Sequence, residues 1–136
     1  MQFDRLLAAA GEARVRAHAP YSNFRVGAAV ETGDGTIVTG CNVENASYGL
    51  TVCAERVALA RAVAEGHRTI RAIAVTGGDG IAAAPCGACR QFIVEFDPRM
   101  PVAFTTESGL VETTADVLLP HAFVLAQVRE ATDAGP

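Results

Sequence analysis

The chain has 136 residues, half of them apolar and 19% charged, with a net charge of −4. That is the size and balance of one globular domain around a single core, and it excludes a disordered chain. No apolar run approaches the roughly 18 residues that a membrane helix needs. A surplus of acidic over basic residues, with no basic cluster, argues against a protein that grips nucleic-acid backbone, because phosphate neutralisation drives such binding.

The elements follow in chain order. Residues 3–17 place Phe3, Leu6, Leu7, Ala10, Ala13 and Val15 near a helical period that Pro20 stops. Residues 24–31 and 36–41 are strand-like and flank Thr32-Gly33-Asp34-Gly35, so they read as a β-hairpin. Residues 42–50 read as loop. Thr51 is placed to cap a helix running from Cys53 through Glu65, with Gly66 just past its end. Residues 70–76 form a buried strand followed by the loop Gly77-Gly78-Asp79-Gly80. Pro85 introduces a helix from Cys86 to about Phe96, which Asp97-Pro98 ends. Strands are expected at 102–105 and 110–113, short helices at 115–119 and 122–131, and a frayed tail at 131–136. This order predicts an α/β fold of three layers, α/β/α, with a mixed sheet of about five strands.

The chemistry concentrates in Cys53-Ala54-Glu55 and Pro85-Cys86-Gly87-Ala88-Cys89. Early charges, beginning with Asp4, leave no uninterrupted apolar region of the kind a signal peptide has, so a cytoplasmic protein is expected. In that setting cysteines serve metal or catalysis rather than disulfides. Cys86 and Cys89 are three apart, so one helical turn puts both sulfurs on one face. Three thiolates suit a tetrahedral Zn²⁺ and leave its fourth position open, as in a catalytic site. A ligand-x-Glu followed by Pro-Cys-x-x-Cys is the layout of zinc nucleobase deaminases, in which the glutamate moves protons. Glu55 is the candidate. Its plain reading is a first-turn glutamate favoured by the helix dipole.

Zinc with three thiolates carries one excess negative charge, which would blunt its acidity. Helix N-termini at both cysteine segments, each worth roughly half a positive charge, would offset this. Arg56 is a further candidate for neutralising the thiolates, and Arg90 has the same option. Cys41 ends an apolar run and reads as a buried free thiol. As a fourth zinc ligand it would instead make a closed structural site and leave Glu55 idle.

Over nearly its whole length the chain resembles the small, homotetrameric, zinc-dependent cytidine deaminases. The matching stretches are Pro20-Tyr21-Ser22-Asn23-Phe24 with Val26-Gly27-Ala28-Ala29, then Gly40-Cys41-Asn42-Val43-Glu44-Asn45-Ala46-Ser47-Tyr48. Cys53-Ala54-Glu55-Arg56, Pro85-Cys86-Gly87-Ala88-Cys89-Arg90-Gln91, and Leu118-Leu119-Pro120 with Ala122-Phe123 complete the match. The resemblance implies one cytidine deaminase domain over 1–136, one Zn²⁺ per chain, and a homotetramer acting on a small nucleoside in pyrimidine salvage. Neither nucleic acid nor membrane is an expected partner. It further implies that Phe24 stacks on the pyrimidine, that Asn42 and Glu44 bind the ribose 3′-hydroxyl, and that the Ala54 backbone holds the base. Ala46 is carried over as a further substrate contact. Tyr48 and Phe123 resemble residues that reach a neighbouring subunit's site. A related free-substrate deaminase, such as a blasticidin-S deaminase, is the alternative on the same scaffold. The ribose-type pair and Phe24 weigh against it.

Overall fold

In the computed structural model, residues 3–125 are described. The elements are α1 (Asp4–Arg14), β1 (Gly27–Thr32), β2 (Ile37–Cys41), α2 (Ala54–Ala64), β3 (Ile70–Thr76), α3 (Gly87–Phe96), β4 (Pro101–Thr106), β5 (Gly109–Thr114) and α4 (Ala115–Leu118). A single 3₁₀ turn, Tyr48–Leu50, interrupts the loop before α2. The five strands form one sheet in the order β2-β1-β3-β4-β5. Only β3 and β4 are parallel; the other pairs are antiparallel, so the sheet is mixed as expected.

Strand alternation sorts side chains by size. Val30, Ile73, Val75, Val102 and Phe104 face the layer holding Leu59 of α2 and Ile93 and Val94 of α3. Ala29, Ala72, Ala74 and Ala103 face the other way, against Phe3, Leu6 and Ala10 around α1. Period-two alternation thus gives a thick layer under α2 and α3 and a thin alanine floor under α1. Two glycines set the closest approaches. A Cβ at Gly27 would lie 1.9 Å from the carbonyl oxygen of Ala10, and one at Gly40 would lie 2.4 Å from the amide nitrogen of Ala58. Helix backbone therefore rests directly on strand backbone at both places.

The hairpin turn forms where expected, with Asp34 accepting from the Thr32 hydroxyl at 2.6 Å and the Thr36 amide at 3.1 Å. Those bonds hold the Asp34 carboxyl well below its usual range. Gly66 follows the C-cap of α2 with φ +99°. Four expectations need correction. Helix α1 stops at Arg14 rather than 17, because Arg16 and Ala17 turn back onto the carbonyls of Ala13 and Arg14, leaving Val15 exposed. The N-cap of α2 is Cys53, not Thr51, whose hydroxyl instead accepts the Asn45 amide at 3.1 Å. The first hairpin strand begins at Gly27 rather than at residue 24, for a reason that belongs to the site. Residues 122–125 are not helical, and the rest of the expected helix to 131 and the tail lie outside the described residues.

Candidate active site

Both cysteine segments are strand-loop-helix junctions. Cys53 is the N-cap of α2 and Cys86 the N-cap of α3; neither spends its side chain on capping. Cys89 lies in the first turn of α3. Because α2 and α3 pack on the same face of the sheet, their N-termini converge. The three Sγ atoms lie within 4.8 Å of one another. A tetrahedral zinc with about 2.3 Å bonds to sulfur holds its ligands roughly 3.8 Å apart, so the spacing fits. Cys41 is half-buried and does not belong to the cluster, which removes the closed four-thiolate alternative.

The charges around the thiols also fit a cation. Arg56 extends back from α2 so that Nη2 lies 3.5 Å from the Cys53 sulfur. Its Nε is buried with no hydrogen-bond partner among the described residues. Cys53 is pulled down to about 5, first by the thiol of Cys89 and then by Arg56, and the arginine's own pKa rises in return. Cys89, buried and donating to Cys53, is pushed up. The cluster thus favours a negative charge shared among its sulfurs beside Arg56. A divalent ion would take all three as thiolates, with Arg56 balancing the surplus charge. Arg90 makes no described hydrogen bond to the sulfurs. It donates to the carbonyls of Pro85 and Leu118, both at 2.8 Å, and ties α4 to the loop before Cys86.

Glu55 follows Cys53 by two residues and is 4% exposed. Burial, reinforced by the charge on Cys53, raises its carboxyl to about 7. A carboxyl that titrates near neutrality both takes and gives protons readily.

A cleft of about 280 Å³ opens over this cluster, lined by Phe24, Val26, Asn42, Glu44, Thr51, Cys53, Ala54, Glu55, Ala83, Ala84 and Cys86. That is near the lower end for small-molecule sites, suited to a ligand of nucleoside size. Phe24 is 43% exposed, which rules out a core role for its ring. It reaches the cleft because Asn42 breaks the ladder: Asn42 Nδ2 donates to the Phe24 carbonyl and Asn42 Oδ1 accepts from the Val26 amide, both at 2.8 Å. One backbone bond persists, from the Asn42 N–H to the Val26 carbonyl at 3.2 Å, and side-chain bonds replace the pairing beyond it, so β1 starts only at Gly27. Glu44 accepts from the amides of Tyr21 at 2.9 Å and Ser22 at 3.2 Å. Ala54 opens the first turn of α2, where helix N–H groups have no intrahelical partner.

Seven expected positions, namely Phe24, Asn42, Glu44, Cys53, Ala54, Glu55 and Cys86, therefore meet in one cleft, while Cys89 completes the thiolate cluster behind it. Ala46, Tyr48 and Phe123 do not line it in their own chain. Tyr48 is 79% and Phe123 67% exposed, and Tyr48 borders a neighbouring hollow with Tyr21, Ser22, Glu44 and Thr51. Val26, Thr51, Ala83 and Ala84 line the cleft without having been anticipated. The run of small residues before Pro85, which lets backbone approach a ligand, was the available signal.

Such equipment defines a metal-dependent hydrolase acting on a small molecule. Residues 2–105 match the family model described as the cytidine and deoxycytidylate deaminase zinc-binding region. The chain is 48% identical over 125 residues to a cytidine deaminase of Sporosarcina psychrophila, covering 90% of this chain and 92% of that one. It superposes on the crystal structure of cytidine deaminase from Burkholderia pseudomallei with a TM-score of 0.84 and 51% identity, covering 90% and 100% of the two chains. A blasticidin-S deaminase of Bacillus cereus is more distant, at 34% over 107 residues, 73% of this chain and 76% of that one. The chain belongs to the cytidine deaminase family. No described helix is long and apolar enough to cross a membrane.

Proposed function

We propose that the whole chain, as one domain, hydrolyses cytidine and 2′-deoxycytidine to uridine and 2′-deoxyuridine with release of ammonia. One observation carries this reading: Glu55, buried and titrating near neutrality, shares a nucleoside-sized cleft with the thiolate cluster, an aromatic wall and the Asn42–Glu44 pair. Zn²⁺ held by Cys53, Cys86 and Cys89 supplies Lewis acidity, which makes water a nucleophile at neutral pH.

The residues of the chain do the rest. Phe24 stacks on the pyrimidine and the backbone of Ala54 holds its polar edge. Asn42 retains one N–H and Glu44 retains free lone pairs beyond the bonds described, and these take the ribose 3′-hydroxyl. As the water oxygen bonds to C4, Glu55 accepts its proton and passes it to N3. Glu55 then takes the remaining hydroxyl proton and delivers it to the exocyclic amino nitrogen, the C4–N bond breaks, and ammonia leaves as the carbonyl forms. Arg56 keeps the sulfurs ionised throughout. The exposed Tyr48 and Phe123 support a homotetramer in which they, with Ala46, complete a neighbour's cleft. The protein would work in the cytoplasm, in pyrimidine salvage.

The test is turnover of cytidine, 2′-deoxycytidine, CMP, cytosine and blasticidin S, followed by absorbance and ammonia release, with zinc measured per chain. A site built to hydrogen-bond a hydroxyl rejects ligands lacking it, by up to about 10⁴-fold. Cytidine and 2′-deoxycytidine should be good, cytosine poor, and CMP poor because Glu44 repels phosphate. Cytosine matching cytidine refutes the ribose-binding role. Faster turnover of blasticidin S than of cytidine moves the protein to that alternative, and active protein without zinc refutes the metal's part.

A further inference from the structure

The ribose-binding carboxylate and the stacking ring sit on separate segments, residues 42–44 and 21–26, that share no strand ladder there. One backbone bond, from the Asn42 N–H to the Val26 carbonyl at 3.2 Å, joins them at the base; beyond it their attachment runs through side chains, and one hydroxyl lies at the joint. Ser22 Oγ donates to Glu44 Oε2 and accepts from the Phe24 amide at 2.9 Å. Its single proton goes to the carboxylate and its lone pair to the ring's own backbone.

We propose that Ser22 is a positioning residue that fixes the orientation of Glu44, and so sets how strongly the enzyme selects for a 3′-hydroxyl. This deepens the ribose reading above and rests on it. Glu44 Oε1 is fixed by the Tyr21 and Ser22 amides, which pin one oxygen but leave the carboxylate free to pivot about it. The Ser22 hydroxyl pins the second oxygen, so the lone pairs that remain point in one direction. The same hydroxyl is the foremost cause holding the Glu44 carboxyl below its usual range, ahead of the two amides. Removing it lets the carboxylate turn and passes the exposed Phe24 amide to solvent, while every group at the thiolate cluster stays in place.

The experiment compares kcat/KM for cytidine and 3′-deoxycytidine in wild type, Ser22→Ala, Ser22→Thr, Glu44→Ala and the Ser22→Ala/Glu44→Ala double variant, with melting temperature and zinc content alongside. A hydrogen bond to a charged group sets the scale, so Ser22→Ala should lower kcat/KM for cytidine by about 10-fold, mostly through KM. The value for 3′-deoxycytidine should change far less. Ser22→Thr, which keeps the hydroxyl, should recover most of the loss. In the Glu44→Ala background, removing Ser22 should cost little more, because the two act as a unit. Equal losses on both substrates, or full additivity with Glu44→Ala, overturns the inference. If instead Glu44→Ala leaves the preference for the 3′-hydroxyl untouched, the ribose reading itself has failed.

Discussion

Gly40→Ala tests how directly the fold holds the site. A Cβ at Gly40 would lie 2.4 Å from the Ala58 nitrogen, 2.7 Å from the Ala54 carbonyl oxygen and 3.0 Å from the Ala58 Cα. Ordinary contact begins at 3.4 Å, so α2 must retreat from β2 by about 1 Å. All three obstacles are backbone atoms, so no rotamer change relieves the clash. Overpacking of this kind costs about 1–3 kcal/mol or somewhat more, which lowers the melting temperature by roughly 5–15 °C in a domain of this size. The catalytic effect should be larger. Ala54 lies between Cys53 and Glu55, whereas Cys86 and Cys89 ride on α3, so the shift moves half the site against the other half. A 1 Å misplacement costs about 10²-fold in rate, and zinc affinity should fall with it. The assay is thermal unfolding together with kcat and zinc content, with Gly11→Ala as the control. Nothing lies within 4 Å of a Cβ at Gly11 in α1, so that variant should be neutral or slightly stabilising. If Gly40→Ala kept its melting temperature and kcat, the close seating of α2 on β2 would not be what holds the site together.

Glu55→Gln should keep zinc and fold but lose about 10²–10⁴-fold in kcat, since an amide cannot shuttle protons; near wild-type turnover would contradict that role. Phe24→Ala should raise KM for cytidine by about 5–150-fold, the usual worth of stacking one base on a ring, and an unchanged KM would show that the ring does not carry the base. The Glu44 carboxyl is held below its ordinary range by the Ser22 hydroxyl and two amides, so it stays ionised through and below the usual carboxylate range near 4.3. Its binding contribution is therefore full at and above that range and lost only as pH falls through the depressed value. The affinity ratio of uridine to 3′-deoxyuridine, measured by calorimetry, should be flat from about pH 5 to 8. A fall in that range would show that Glu44 is not the group sensing the hydroxyl.

Chain spacing alone determined the elements of the metal cluster. Two cysteines three apart after a proline share one helical face by covalent geometry, and Glu55 is fixed two residues from Cys53 whatever the rest of the chain does. The hairpin around Thr32-Gly33-Asp34-Gly35 was legible for the same reason: turn chemistry is local. Thr51 shows where local rules mislead. It has capping chemistry, but its hydroxyl is taken by Asn45, and Cys53 becomes the N-cap with its sulfur turned to the cluster. Arg90 likewise looked equivalent to Arg56 by its place beside a cysteine; the packing of α4 instead put two carbonyls within its reach. Family resemblance named the residues on the substrate side of the cleft, but how they come to face it was decided only in three dimensions. Phe24 reads as an ordinary strand residue until Asn42, 18 positions away, takes the hydrogen bonds that would have kept it in the sheet. The meeting of Cys53 with Cys86 and Cys89 depends on α2 and α3 packing on the same face, against the large residues that the strands sort to that side. Spacing can encode a turn of helix, but which distant turns come together is set by burial of the sheet's two unequal faces.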